Sequence, residues 1–195
     1  MTSAFPLIHL VRHGETEWSR SGKHTGRTDV ALTQAGEQAA RALSAHLHSQ
    51  SFSAVWSSPS QRARQTCELA GFGPPEIKPE LAEWDYGVYE GITTPDILKQ
   101  RPGWQVFRDG CPQGESADDV GARADRIIQN IRDLNAPVLI FSSAHFLRVL
   151  AARWLRMPPE QGANFYLDTA SISVLGYEHC LDEPIIRRWN QQSYV

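Results

Sequence analysis

Residues 7–11 (LIHLV) form a short apolar run that breaks at once into Arg12-His13-Gly14. The run is too short for a buried helix and suits a strand buried on both faces of a parallel sheet. Such a strand, emptying into a polar loop that carries a glycine, marks the carboxyl edge of an open α/β sheet, where ligands bind. Arg12 offers a planar fork of donors for a phosphate or carboxylate. His13 offers a ring nitrogen that is nucleophilic near neutral pH when unprotonated. Gly14 lets backbone and ligand approach closely. Alone, the tripeptide is as readily chance as function.

The rest of the chain repeats the pattern. Residues 18–29 lack periodicity and read as an ordered loop. Thr33 is placed to cap a helix with apolar positions at Ala35, Ala39, Leu43 and Leu47, ending near Ser49. Residues 54–57 (AVWS) are a second short strand. Ser58-Pro59-Ser60-Gln61 then carries helix-start signals, with Ser58 as cap and Pro59 in the first helical position. An Arg62 beside that helix N-terminus suits an anion.

Residues 74–79 are an extended, proline-rich connector, and 81–87 (LAEWDYG) set two acids among aromatic rings. An acid desolvated by rings is a candidate proton donor, and Glu83 is one such candidate. A helix is expected near residues 95–100, and 102–115 read as loop. Ser116 and Asp119 form a capping box for a long helix with a stripe at Val120, Ala124, Ile127, Ile128 and Ile131. Residues 138–141 (VLIF) are the best central strand, ending at Ser142-Ser143-Ala144-His145. A helix through Leu147, Leu150, Ala151, Trp154 and Leu155 follows, and residues 171–177 and 185–189 are two last strands. This order reads as one α/β domain spanning 1–195, a three-layer sandwich with a mostly parallel central sheet. The excursion at about 84–115 forms a small loop and helix cap.

Composition narrows the partners. With 19 Lys and Arg against 22 Asp and Glu, the net charge of −3 argues against nucleic acid or an anionic membrane as partner. Yet Arg12, Arg20, Lys23, Arg27, Arg62 and Arg64 fall in segments expected near the His13 loop, which points to a small anionic ligand. Cys67, Cys111 and Cys180 fit no metal or redox spacing and read as reduced thiols. No signal-peptide pattern and no membrane-length apolar run is evident, so a cytoplasmic location is the expectation.

Six pieces in order resemble the histidine phosphatase superfamily, the phosphoglycerate-mutase-like proteins. They are residues 10–18 (LVRHGETEW), 24–29 (HTGRTD), 57–66 (SSPSQRARQT), 81–91, 114–116 (GES) and 145–148 (HFLR). The first two and the last look most like the sugar-bisphosphatase branch typified by fungal sedoheptulose bisphosphatase. The resemblance implies that His13 is the nucleophile that becomes phosphohistidine and that Glu83 protonates the leaving oxygen. It implies that Arg12 and Arg62 clamp the phosphoryl group, with Ser19 and Thr25 as further contacts. Gly26 and Arg27 belong to the same motif.

Phosphoryl transfer asks for positioned cations and an in-line nucleophile on general grounds. No metal or other cofactor is called for. One departure stands out: the family's second histidine, in a His-Gly-x-x-x-Arg segment, registers on Ser143, and its glycine on Ala144. His145 matches a position two further on, which is also His in the sugar-bisphosphatase branch.

The expected function is a metal-independent phosphomonoesterase for a small phosphorylated metabolite, a sugar phosphate or bisphosphate among the candidates, with Ser143 contacting phosphate. Two alternatives remain. A phosphoglycerate mutase is disfavoured because only residues 88–142 separate Gly87 from Ser143, leaving out a longer basic insertion. A weakly active or silent phosphometabolite-binding module is motivated by Ser143. The substrate and the oligomeric state are left open.

Overall fold

The computed structural model describes residues 5–192. Six strands, β1 (Ile8–Arg12), β2 (Ala54–Ser57), β3 (Glu76–Ile77), β4 (Val138–Ser142), β5 (Ser171–Tyr177) and β6 (Pro184–Gln192), form one sheet in the order β3-β2-β4-β1-β5-β6. The first four are parallel, while β5 and β6 are antiparallel additions at one edge. Among the described residues eight α-helices accompany them: α1 (Glu17–Ser21), α2 (Gln34–Ala42), α3 (Ser44–Leu47), α4 (Gln61–Leu69), α5 (Thr94–Gln100), α6 (Val106–Asp109), α7 (Ala117–Leu134) and α8 (Ala144–Trp154).

Strand alternation divides the interior into two cores. Ile8, Leu10, Val138 and Ile140 face a core shared with Val120, Ala124, Ile127 and Ile131 of α7 and Leu147, Leu150 and Trp154 of α8. Val11, Leu139 and Phe141 face the other, with Leu43, Leu47, Ala63 and Cys67 from α2 to α4. This is the expected three-layer α/β arrangement. Burial of both sheet faces explains why β4 is a continuous apolar run, and why all seven residues of β5 are buried despite their alternating chemistry. All three cysteines are free, Cys67 within the second core. Among the described residues no helix is long and apolar enough to cross a membrane.

Local signals held where a motif was self-contained. Thr33 caps α2 by accepting from Gly36 N, and the Ser116–Asp119 capping box opens α7 with both bonds formed. Four readings are corrected. Residues 18–29 are not all loop, because a Thr16–Ser19 capping box starts α1 and left-handed Gly22 (φ 74°) ends it. The helix expected to run to Ser49 divides at Leu43 into α2 and α3. Residues 102–115 contain α6, anchored by burial of Val106 and Phe107 and by Asp109, which accepts from Gln105 N. Finally, α4 starts at Gln61 with Ser60 at its N-cap, two residues later than the Ser-Pro signal implies. Ser58 is still tied to the sheet, its N–H donating to Phe141 O at 2.9 Å.

Candidate active site

The carboxyl ends of β1 and β4 open on a cavity of about 510 Å³, lined by Arg12 at the end of β1, His13 after it, Glu83, and Ala144 and His145 from the start of α8, while Ser58, Pro59 and Ser60 after β2 line a second cavity that also reaches Glu83. The strand order makes this the place where successive crossovers diverge, the usual ligand crevice of an open α/β sheet.

His13 is buried, 4% exposed. Its backbone is pinned on both sides: N–H to Ser142 O (2.9 Å), and C=O from Ala170 N (3.1 Å). In the ring, Nδ1 lies 2.7 Å from Gly14 O. A carbonyl only accepts, so Nδ1 carries the proton and the free lone pair belongs to Nε2. Burial, then the charges of Arg62 and Arg12, hold the His13 pKa well below its ordinary 6.5. The ring is therefore a neutral imidazole at neutral pH, with Nε2 available as a nucleophile.

The loop keeps this pose because two glycines let backbone meet backbone. A Cβ on Gly14 would lie 2.5 Å from Gly36 O, and one on Gly36 would lie 2.2 Å from Glu15 O, both inside van der Waals contact. Thr66, which the sequence did not single out, completes the mount. Its hydroxyl accepts from Gly14 N (2.9 Å) and donates to Arg62 O (2.7 Å), tying the β1 loop to α4.

Arg62 is fully buried, with Nη1 on Thr28 O (3.1 Å) and Nη2 on Thr25 O (2.9 Å) and Gly26 O (3.2 Å). Arg12 gives Nη1 to Leu167 O. Each guanidinium keeps a buried Nε with no hydrogen-bond partner, and Ser143 Oγ is buried and unpartnered as well. Three orphaned donors at the edge of one sheet are expensive without a ligand, and suit an incoming oxyanion.

Glu83 is held from three directions. Arg123 of α7 donates to the Glu80, Ala82 and Glu83 carbonyls and pairs with Glu115, clamping the 80–83 backbone. Ser142 Oγ donates to Leu81 O (2.6 Å). The Glu83 carboxylate itself accepts from Trp84 N (2.9 Å), Phe146 N (2.8 Å) and His145 N (3.1 Å). It therefore caps α8, leaving the hydroxyl of Ser143, the N-cap residue, free.

The remaining expected residues divide. Ser19 and Thr25 line the cavity, although Ser19 is engaged in the α1 capping box and Thr25 Oγ1 donates to Lys23 O. Gly26 gives its carbonyl to Arg62. Arg27 is turned away, paired with Asp85 (2.6 Å) along neighbouring cavities. Arg20 pairs with Glu17, so the basic residues do not all converge. The N-terminus of α4 does attract an anion, but one from the chain itself, Asp29 accepting from Gln61 N (2.7 Å).

His145 is half-buried among Trp84, Tyr86 and Phe107, its Nδ1 hydrogen-bonded to the Tyr86 hydroxyl. Burial first, then Arg148, His24 and Arg12, lowers its pKa well below 6.5. The sequence reading also missed His24, Tyr86, Thr94, Trp104 and Phe107 as cavity walls. The aromatic density of residues 84–89 was the one available hint. Among the described residues no group of three or more His, Cys, Asp or Glu is gathered as a metal site.

Residues 8–192 match the histidine phosphatase superfamily (branch 1). The chain belongs to that superfamily. It is 42% identical over 174 residues to an acid phosphatase of Mycobacterium tuberculosis, covering 87% of this chain and 86% of that protein. It is 31% identical to the sedoheptulose 1,7-bisphosphatase of Saccharomyces cerevisiae, covering 94% and 84%. A solved open-reading-frame product of M. tuberculosis superposes with a TM-score of 0.92 at 38% identity, covering 97% of this chain and 99% of that one. The resemblance drawn from the motifs is thereby established for this histidine phosphatase family member.

Proposed function

We propose that this protein is a metal-independent phosphomonoesterase acting on a small phosphorylated metabolite through a phosphohistidine on His13. The observation that carries the reading is the Nδ1–H bond of His13 to Gly14 O, which leaves the lone pair on Nε2 of a ring kept neutral by burial and two guanidiniums.

In the first half-reaction Nε2 attacks phosphorus and the P–O bond to the alcohol breaks, with Glu83, in its protonated form, supplying the proton to the leaving oxygen and becoming the carboxylate. In the second, Glu83 takes a proton from water, whose oxygen displaces phosphate from Nε2. Arg12, Arg62 and Ser143 meet the equatorial oxygens with the donors left orphaned in the structure. Residues 84–115 act as a partial cap, contributing Tyr86, Thr94 and residues 104–107 to the cavity wall. Similarity to an acid phosphatase and a sugar bisphosphatase supports the same class.

Acid-labile, base-stable label retained from a phosphorylated substrate by quenched protein, and absent in His13→Ala, is the expected result, with turnover indifferent to chelator. Label persisting in His13→Ala removes the residue from this role. The second reading, a phosphometabolite-binding module, rests on Ser143 standing where the family pattern carries a histidine. Binding across a phosphate-ester panel with no phosphate release would select it.

A further inference from the structure

Beyond the phosphate end, the cavity wall is built of rings: His24, Tyr86, Trp104, Phe107 and His145, with Val106 beside them. The rings pack edge to face or tilted, with centroids 4.6 Å apart for His24–Tyr86, 5.5 Å for His24–Trp104 and 5.1 Å for Phe107–His145. Most of their polar atoms are spent within the wall. Trp104 Nε1 donates to Gly110 O (2.9 Å), His24 Nε2 and Thr94 Oγ1 are 3.2 Å apart, and Tyr86 is bonded to His145. Beyond the second ring nitrogens of His24 and His145, what these rings offer is π-face and C–H edge.

Charge is sparse on the same surface. Burial lowers the His24 pKa to about 4 and that of His145 well below 6.5, so neither ring is cationic at neutral pH. Apart from Arg12 at the phosphate end, the one lysine or arginine among the described residues lining the cavity is Lys23, which is exposed. Arg27 is neutralised by Asp85 outside it. Arg148 lies behind Phe107, 4.5 Å from the ring, with its donors on Gly162 and Ala163 carbonyls. A second phosphate group would thus meet one solvated lysine and no other cation, beside a wall made mostly of rings.

We infer that this wall is a leaving-group subsite for a neutral, ring-bearing alcohol. The preferred substrates are then monophosphate esters whose ring packs on Tyr86, Trp104 and Phe107, and bisphosphates are disfavoured. The inference rests on the phosphatase reading for the word substrate, but the ring preference is a property of the cavity. A flat ring fits the offset and edge-on geometries that aromatic pairs favour, and a cavity of about 510 Å³ has room for it beside a phosphoryl group.

Calorimetric titration of the intact protein with three non-hydrolysable probes, methylphosphonate, benzylphosphonate and propane-1,3-bisphosphonate, tests this. Benzylphosphonate should bind about tenfold more tightly than methylphosphonate, and more tightly than the bisphosphonate. The benzyl-to-methyl ratio should fall in Trp104→Leu, and in the milder Val106→Ser should packing of the first fail. A ratio under about fivefold, a bisphosphonate that binds best, a ratio unmoved by both substitutions, or no binding of any probe overturns the subsite. Phosphate release from benzyl phosphate is measured separately. Preferential benzylphosphonate binding without release keeps the subsite and removes the phosphatase reading.

Discussion

Replacing Glu83 by Gln should expose two separate jobs of one carboxylate. Oε1 accepts from Trp84 N (2.9 Å) and Phe146 N (2.8 Å), and Oε2 accepts from His145 N (3.1 Å). An amide retains one acceptor oxygen, so whichever way it turns, an NH₂ group faces a backbone N–H. The smaller injury keeps oxygen at the Oε1 position and leaves His145 N–H opposed. A buried N–H without a partner costs about 1–3 kcal/mol. Losing negative charge at the N-terminus of the 11-residue helix α8 adds about 0.3–1 kcal/mol. The expected loss of unfolding free energy is about 1–4 kcal/mol in urea denaturation, with an unchanged m-value.

The kinetic arm compares two esters at a temperature where both proteins are folded. Benzyl phosphate needs its leaving oxygen protonated, and its turnover should fall by about 10²–10⁴. p-Nitrophenyl phosphate, whose leaving group needs little help, should lose far less. Unchanged stability refutes the capping argument. Equal losses on the two esters refute the proton-transfer role and leave Glu83 as a structural cap.

Four further outcomes follow from the same structure. Ser143→His with Ala144→Gly should raise turnover by about 10²–10³ by adding a charged donor beside the phosphoryl group; no gain in turnover means that position 143 is not a vacated catalytic site. His145→Ala, by contrast, should lower stability, since it leaves the buried Tyr86 hydroxyl without its partner. Because burial and then Arg62 and Arg12 depress the His13 pKa, its nucleophilic neutral form persists as pH falls through 6.5. The acid limb of kcat/KM due to His13 should therefore lie below 6.5, and a limb at or above that value refutes the assignment. His9, buried beside Phe52 with Nδ1 unpartnered, has its pKa lowered from 6.5 to about 4 by burial and then by Arg188. The unfolded chain takes up this proton first, so stability falls as pH drops from 6.5 toward 4, by about 1.4 kcal/mol per unit. Urea titrations at pH 6.5 and pH 5 should show His9→Leu gaining on the native protein by about 2 kcal/mol, and a pH-independent gap refutes it.

What the chain's own order determined is local in cause. The strand at Ala54–Ser57, the α7 capping box and the stripe at Val120, Ala124, Ile127 and Ile131 are patterns that one short segment satisfies by itself. The Arg12-His13-Gly14 loop after an apolar strand was legible for the same reason, as was the family that its motifs resemble. The end of a helix is different, because a distant group can supply the cap. Gln61 begins α4 because Asp29 meets its N–H while Ser58 is still bonded to the sheet. Glu83 caps α8 from 62 and 63 residues away in sequence, and that frees the Ser143 hydroxyl.

The tautomer of His13, the turning away of Arg27 to Asp85, and the ring wall from His24 to His145 likewise depend on which strand lies beside which. Side-chain periodicity and capping propensity act over a few residues, whereas desolvation and long-range pairing are set by the sheet order β3-β2-β4-β1-β5-β6. Sequence could therefore nominate His13 as a candidate, but only the packed molecule decided its tautomer, its neighbours and the rings that line the cavity.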